Sequence, residues 1–242
     1  MNQYLYGVVR AAAETFDFPE PIVEVGSYLV EGQERFGLRS LFPGKEYLGT
    51  DMRPGPGVDL VANAERLSES VGVGKVGTII ALSVLEHTRH FWKALDQLDE
   101  VLADDGFLLL SVPFCFHIHA YPNDYWRWTP EAMKLVLEGY PSRVVGTQGL
   151  GKRPTHVWGI GSRHAIEEAT FAELQGRIDD YAAEPLRLST RIRYELGRLI
   201  CGPRPFEPWL TRSRGTCELI SSVATEGEAG CQLDKGEVRS GS

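Results

Sequence analysis

The sequence predicts an α/β fold, a mostly parallel sheet with helices on both faces. Three observations carry this. Short, nearly unbroken apolar runs, such as 76 to 82 and 107 to 112, alternate with segments of helical spacing, as in parallel strands covered on both faces. The run Ile22-Val23-Glu24-Val25 passes through an acidic residue into the turn Gly26-Ser27. Further on, Tyr47-Leu48-Gly49-Thr50 ends on the lone carboxylate of Asp51. Glycine at the first turn lets a ligand approach the backbone, because it has no Cβ. A carboxylate closing the second strand accepts hydrogen bonds from both hydroxyls of a ribose. A nucleoside pocket at the carboxyl edge of the sheet is therefore expected.

Residues 4 to 16 carry Leu5, Val8, Val9 and Ala12 at helical spacing, and Pro19 and Pro21 stop that helix. Residues 22 to 26 are the first strand. The segment 34 to 41 reads as a short helix ended by Pro43-Gly44, and 46 to 50 as the second strand. Pro54-Gly55-Pro56-Gly57 is a rigid turn before a short third strand over 58 to 61. Residues 76 to 82 form a buried fourth strand. Ser83-Val84-Leu85-Glu86-His87 leads to a helix over 91 to 102, and the turn Asp104-Asp105-Gly106 leads to a fifth strand. Thr129 caps a helix with Pro130 at its first position. Two strands, 143 to 148 and 155 to 161, close the sheet, and helices are expected over 165 to 181 and 190 to 199. The domain is read as 1–202. An irregular tail over 203–242 is read as disordered from about residue 225, where Gly, Glu and Ser dominate.

A chain of 242 residues, 43% of them hydrophobic, suffices for one such domain. Its net charge of -8 argues against binding a nucleic-acid backbone. Arg187, Arg191, Arg193 and Arg198 read as a solvated helix face. The four cysteines show no C-x-x-C pair, so neither a zinc site nor a disulfide framework is expected. A reducing, cytoplasmic compartment follows from that reading. Met1-Asn2-Gln3-Tyr4 lacks the basic and apolar run of a signal peptide, and no apolar stretch reaches the roughly 20 residues of a membrane span. The G-x-G-x-x-G triplet of dinucleotide sites is missing too, since Gly26 is followed by Ser27, Tyr28, Leu29, Val30 and Glu31 before Gly32. Glu24 and Glu31 would repel a pyrophosphate. A phosphate-free nucleoside with a cationic end fits better.

Taken in order, Val23-Glu24-Val25-Gly26-Ser27, Gly49-Thr50-Asp51, Ala62-Asn63-Ala64, Ser83-Val84-Leu85-Glu86-His87 and Ala103-Asp104-Asp105-Gly106 resemble the class I S-adenosylmethionine-dependent methyltransferases. The resemblance covers residues 20 to 160. Leu85-Glu86-His87 is similar to the methyltransferase-11 type. The run from His119 to Thr129 is similar to bacterial members tied to glycan or secondary-metabolite assembly. The resemblance implies a Rossmann-like seven-stranded sheet with an antiparallel last strand, and S-adenosyl-L-methionine as cofactor. Carried over by position, Glu24 faces the cofactor's ammonium, and Gly26-Ser27 is the turn its methionine part crosses. Asp51 holds the ribose hydroxyls, and Met52 packs on adenine. Asn63 and Ala64 sit at the adenine edge, and Ser83 lies near the amino-acid end. Three positions depart from the pattern: Tyr28-Leu29-Val30 where small residues are common, Asn63 where many relatives carry an acid, and Asp104-Asp105 in place of Lys-Pro.

Methyl transfer is an in-line displacement, so the protein mainly orients the acceptor and excludes water. An alcohol acceptor also needs a proton acceptor within reach, a task suited to histidine near neutral pH. His87, His117 and His119 follow strands that end at the ligand edge. His119 is the expected base, or else holds its loop. His87, which the family places near the reaction centre, is the second candidate, or else caps the next helix. Glu86 pairs with His87 or shapes the pocket. Asp124 orients His119 or anchors the loop through Arg127, and Glu86, Tyr121, Asp124, Tyr125, Trp126 and Arg127 are the residues expected to meet the acceptor. Tyr121, Tyr125, Trp126 and Trp128 form a stacking wall for a sugar or aromatic acceptor, or pack in the core. The spacing of His117, His119 and Asp124 arises often by chance, so no metal is expected. The expected activity is methyl transfer to a small-molecule, glycan or secondary-metabolite acceptor, at oxygen. N-methylation of an amino sugar and a noncatalytic nucleoside-binding scaffold are the alternatives. No nucleic-acid partner is expected, and the oligomeric state is left open.

Overall fold

The computed structural model describes residues 2–119, 123–182, 188–202 and 214–221. It opens with α1 (Gln3–Thr15), where the Asn2 side chain accepts a hydrogen bond from the Leu5 amide at 3.0 Å. Asn2 thereby satisfies one of the backbone donors a helix start leaves unpaired. Leu5, Val8, Val9 and Ala12 form its buried face, as their spacing predicts. After β1 (Ile22–Val25) the expected short helix is absent. Two 3-10 turns, Glu34–Phe36 and Leu38–Leu41, take its place, because Gly37 between them is extended at φ -62° and ψ 119°.

Next come β2 (Tyr47–Asp51) and β3 (Leu60–Val61). The third strand is shorter than predicted because Asp59 is committed to β2. Its amide donates to the Gly49 carbonyl at 2.8 Å, and its carboxylate accepts from the Gly49 amide at 2.7 Å and pairs with Arg39. The chain continues through α2 (Ser68–Val71), β4 (Val76–Leu82), α3 (Phe91–Val101) and β5 (Leu102–Pro113). Asp104-Asp105-Gly106 is not a separate turn. The strand runs through it, and the register slips between the pairs Val76 with Leu102 and Thr78 with Phe107. Then follow α4 (Pro130–Val136), β6 (Ser142–Gln148), β7 (His156–Ser162), α5 (Glu168–Tyr181), α6 (Leu188–Cys201) and β8 (Gly215–Ser221). Thr129 caps α4 as expected, its hydroxyl accepting from the Ala132 amide at 3.2 Å.

The sheet has eight strands in the order β3-β2-β1-β4-β5-β7-β6-β8. Strands β3, β2, β1, β4 and β5 pair in parallel. β7 is antiparallel to β5 and to β6, and β8 is antiparallel to β6. The eighth strand corrects the seven-stranded expectation. It lies inside the stretch read as an irregular tail, and its signal is the alternation Thr216-Cys217-Glu218-Leu219, which leaves one face half-buried on an edge strand. The rest of that tail, including the part read as disordered, lies outside the described residues.

Each face of the sheet packs its own core. Ile79 and Ala81 of β4 join Leu98, Leu108, Leu110 and Trp128 on the α3 and α4 side. Ile80 between them joins Leu5, Leu109, Trp158 and Leu174 on the α1 and α5 side. Such burial of alternate residues on opposite faces explains the unbroken apolar run of β4. Among the described residues no helix is long and apolar enough to cross a membrane. A cavity of about 470 Å³ beside α3 and α4 is lined by Trp92, Leu95, Asp99, Val136 and Tyr140. It includes none of the residues at the carboxyl edge discussed next.

Candidate active site

The strand order reverses between β1 and β4, and ligands of open α/β sheets bind outside the strand carboxyl ends at such a point. Five loops meet there, and the sequence places one candidate residue or more on each.

Gly26 leaves β1 with φ +81°, a conformation glycine adopts without strain. Its amide and that of Ser27 both donate to the Thr50 carbonyl, at 2.7 and 3.0 Å, which ties the first turn to β2. A Cβ on Gly26 would meet Val84 Cγ2 at 2.4 Å, so the turn also packs against the loop after β4. We expect Gly26→Ala to cost about 1–3 kcal/mol, from the strained backbone together with that clash. A thermal melt would register a drop of several degrees, and an unchanged Tm would show that the turn relaxes without cost. Ser27 is buried, and its hydroxyl has no hydrogen-bond partner among the described residues.

The first loop then crosses to the β2–β3 turn. The Leu29 amide donates to the Pro56 carbonyl at 2.8 Å, and Arg53 lies 4.4 Å over the Tyr28 ring. A Cβ on Gly55 would meet the Tyr28 ring at 2.3 Å, and one on Gly57 would meet Leu29 Cγ at 3.0 Å. The small residues missing from the first loop are therefore found in its partner turn. Bulk at Tyr28 and Leu29 is matched by Gly55 and Gly57.

Asp51 closes β2 as expected, with its side chain 14% exposed. One carboxylate oxygen accepts the Arg53 amide at 2.9 Å. Met52 beside it is 64% exposed. Asn63 follows β3, and its side-chain oxygen accepts the Glu65 amide at 2.9 Å, while Ala64 is buried. Glu24 is half-buried, and the Tyr47 hydroxyl donates to its carboxylate at 2.6 Å. Burial pushes the Glu24 carboxyl above its usual range, against the opposing effect of that hydrogen bond.

The other side of the carboxyl edge is built from the β4 and β5 loops. Ser83 has φ 57°, the only positive φ outside glycine among the described residues, and its amide donates to the Ser111 carbonyl at 2.9 Å. A strained backbone of this kind persists where the surroundings hold it, often at a ligand site. The 3-10 turn Leu85–His87 follows. The segment 123–128 is zipped onto this turn: the Tyr125 amide donates to the Glu86 carbonyl at 2.7 Å, and the Trp126 indole donates to the Thr88 carbonyl at 2.9 Å. His87 Nδ1 lies 2.6 Å from the Asn123 carbonyl oxygen. Burial pushes the His87 imidazole below its usual value, and a neutral ring that donates from Nδ1 to this carbonyl keeps a lone pair on Nε2.

Glu86 is fully buried, and neither carboxylate oxygen has a hydrogen-bond partner among the described residues. Burial raises its pKa to about 8. The His87 and His119 rings meet edge to face, with centroids 4.9 Å apart. His119 Nδ1 lies 3.1 Å from Asp124 Oδ2, and the His119 amide donates to the same oxygen at 2.9 Å. Asp124 is itself clamped by Arg127, which holds its carboxyl well below the usual range. Arg127 also reaches the His117 carbonyl at 3.2 Å.

No protein-family model matches this chain, and no curated protein matches it. Solved structures do. A SAM-dependent methyltransferase from Archaeoglobus fulgidus aligns with a TM-score of 0.51 at 12% identity, over 65% of this chain and 92% of that one. The chain has the class I methyltransferase fold. The 1,6-didemethyltoxoflavin-N1-methyltransferase of Burkholderia thailandensis, solved with 1,6-didemethyltoxoflavin and S-adenosylhomocysteine, aligns at a TM-score of 0.49 and 15% identity, over 68% of this chain and 80% of that one. A possible histamine N-methyltransferase from Thermotoga maritima aligns at 0.46 and 15%, over 66% and 91%.

Within the methyltransferase fold, the predicted residues fall into two groups. Gly26, Ser27, Asp51, Met52, Asn63 and Ala64 lie on the β1, β2 and β3 loops. Ser83, Glu86, His87 and His119 lie on the β4 and β5 loops. Asp124 and Arg127, expected to meet the acceptor, have their charged groups directed at one another, and Asp124 orients His119. Trp126 gives its indole to Thr88 and packs edge to face on Phe91 at 4.9 Å, and Trp128 is core. Tyr125 is 44% exposed. Tyr121 lies outside the described residues. The sequence reading missed the Asn123 carbonyl, which has no side-chain signal. It also missed the complete burial of Glu86, whose only cue is its place between apolar Leu85 and the aromatic run.

Proposed function

We propose that this chain is an S-adenosylmethionine-dependent methyltransferase acting on a small-molecule or sugar acceptor. The observation that carries the proposal is Asp51. It is a partly exposed carboxylate closing the strand next to the switch point, beside an exposed apolar Met52 and across from a glycine turn at φ +81°. The donor's chemistry fits these residues. Asp51 turns one oxygen to the Arg53 amide and, at 3.7 Å, to the Arg53 guanidinium, and keeps the other for a ribose diol. Met52 offers an uncovered apolar surface to an adenine. Asn63 stands at the end of β3, where the adenine edge would lie. The orphaned Ser27 hydroxyl and the Glu24 carboxylate suit a polar, cationic amino-acid end.

When bound, S-adenosylmethionine supplies a methyl group made electrophilic by its sulfonium. The chain's own residues then hold the acceptor in line and keep water out. An acceptor hydroxyl that gains a methyl must lose its proton. His87 and His119 are the imidazoles on the acceptor side that draw that proton off, with His119 beside the Asp124 carboxylate, and Glu86 shapes the pocket behind them. An amine acceptor would depend on them less. Calorimetric titration with S-adenosylhomocysteine and S-adenosylmethionine tests the reading, and one-to-one binding of both is expected. Failure of both to bind overturns it, and binding without turnover on a broad acceptor panel would leave a nucleoside-binding scaffold.

A further inference from the structure

We propose that Glu86, His87 and His119 form a binding site for one divalent transition-metal ion. One donor atom from each lies within 4.8 Å of the other two. The three residues come from two segments, the turn after β4 and the loop after β5, which the bonds from 123–128 hold together. No metal is expected from the sequence spacing, because the residues that converge are not those whose spacing resembles a ligand set.

Three features of the cluster point to a cation. Glu86 is fully buried and both its oxygens lack partners among the described residues. Buried carboxylates are ordinarily hydrogen-bonded, paired or bound to metal, and His87 Nε2 lies 3.8 Å from one oxygen of this one. Each imidazole already has the outer partner of a metal-bound histidine. His87 Nδ1 meets the Asn123 carbonyl at 2.6 Å, and His119 Nδ1 meets the His117 carbonyl at 3.4 Å with the Asp124 carboxylate 3.1 Å away. Such partners fix the ring and leave Nε2 as the ligand atom. Asp124 is in turn fixed by Arg127, so it serves as an orienting carboxylate and not as a ligand.

The distances suit an ion of this size. Metal–ligand bonds of about 2.0–2.1 Å place tetrahedral donors about 3.3 Å apart. His87 Nε2 and Glu86 Oε1 are 3.8 Å apart, and all three donors lie within 4.8 Å, so side-chain rotation has to draw the set together around the ion. Two imidazoles and one carboxylate with open positions select first-row ions such as zinc, iron(II), cobalt(II) or manganese over calcium. With the ion bound, His87 and His119 would act as its ligands and not as bases, and an open position would take a hydroxyl oxygen of the acceptor, whose acidity the ion would raise. That last clause rests on the methyl-transfer reading, whereas the ion site itself does not.

The full chain, stripped with a chelator, is titrated with cobalt(II) and followed by its visible absorption, with zinc as competitor. One ion per chain is expected, displaced by zinc. Binding is lost in His119→Ala and in Glu86→Gln, and weakened about 10–100-fold in Asp124→Asn. His119 is 30% exposed, so its removal opens no core and that variant carries the test even where Glu86→Gln does not fold. A thermal melt gives a second readout: zinc raises the Tm of the parent chain and not of His119→Ala. Absence of saturable binding, or binding and Tm response unchanged in His119→Ala, overturns the site. S-adenosylhomocysteine affinity is measured on the same samples. A chain that binds the nucleoside and no metal overturns the ion alone, and one that binds metal and no nucleoside overturns the methyl-transfer reading alone.

Discussion

Asp51→Ala is expected to abolish measurable binding of S-adenosylmethionine and S-adenosylhomocysteine while leaving the fold intact. The side chain closes β2 at the carboxyl edge and is partly exposed, so no core packing is lost. Its removal would cost both hydrogen bonds to a ribose diol. Each bond to a charged group is worth about 1.5–3 kcal/mol, which is about one to two orders of magnitude in affinity. Loss of the Arg53 amide contact loosens the same turn. Calorimetry on parent and variant, with circular dichroism to check folding, measures the effect. Equal affinity would remove Asp51 from the ribose site.

The second large effect is expected on the other side of the carboxyl edge. His119→Ala should lower turnover by about 100- to 10,000-fold, the range a positioned proton-handling group contributes, and leave nucleoside affinity unchanged. The reason is the division of the edge into two groups of residues. His119 sits with Glu86, His87 and Asp124 on the β4 and β5 loops, whereas the nucleoside contacts are assigned to the β1, β2 and β3 loops. Arg127→Ala should reproduce part of the loss, because Asp124 would no longer be held against His119. Turnover equal to the parent's in His119→Ala would make that histidine a loop anchor only.

The elements that were legible in the sequence are those set by local rules. The unbroken run of β4 and the Thr129-Pro130 helix start fall where the pattern puts them. Asp51 was legible because a strand period ended on a charge. The failures have nonlocal causes. Gly37 splits a helical-looking stretch into two 3-10 turns. β8 is an edge strand whose pairing partner, β6, lies far back in the chain. The departure at Tyr28-Leu29 looked like a weakened loop, yet Gly55 and Gly57 show it to be a matched contact between two turns. The burial of Glu86 and the partners of both histidines depend on how 123–128 folds over the β4 turn, and no single-residue pattern records that.

A crystal structure with S-adenosylhomocysteine bound tests the central claim most directly. Both ribose hydroxyls are predicted to lie within hydrogen-bond reach of the Asp51 carboxylate, with the sulfur directed toward Glu86, His87 and His119. A nucleoside seated away from the β1–β4 switch point, with Asp51 touching no part of it, would contradict the account.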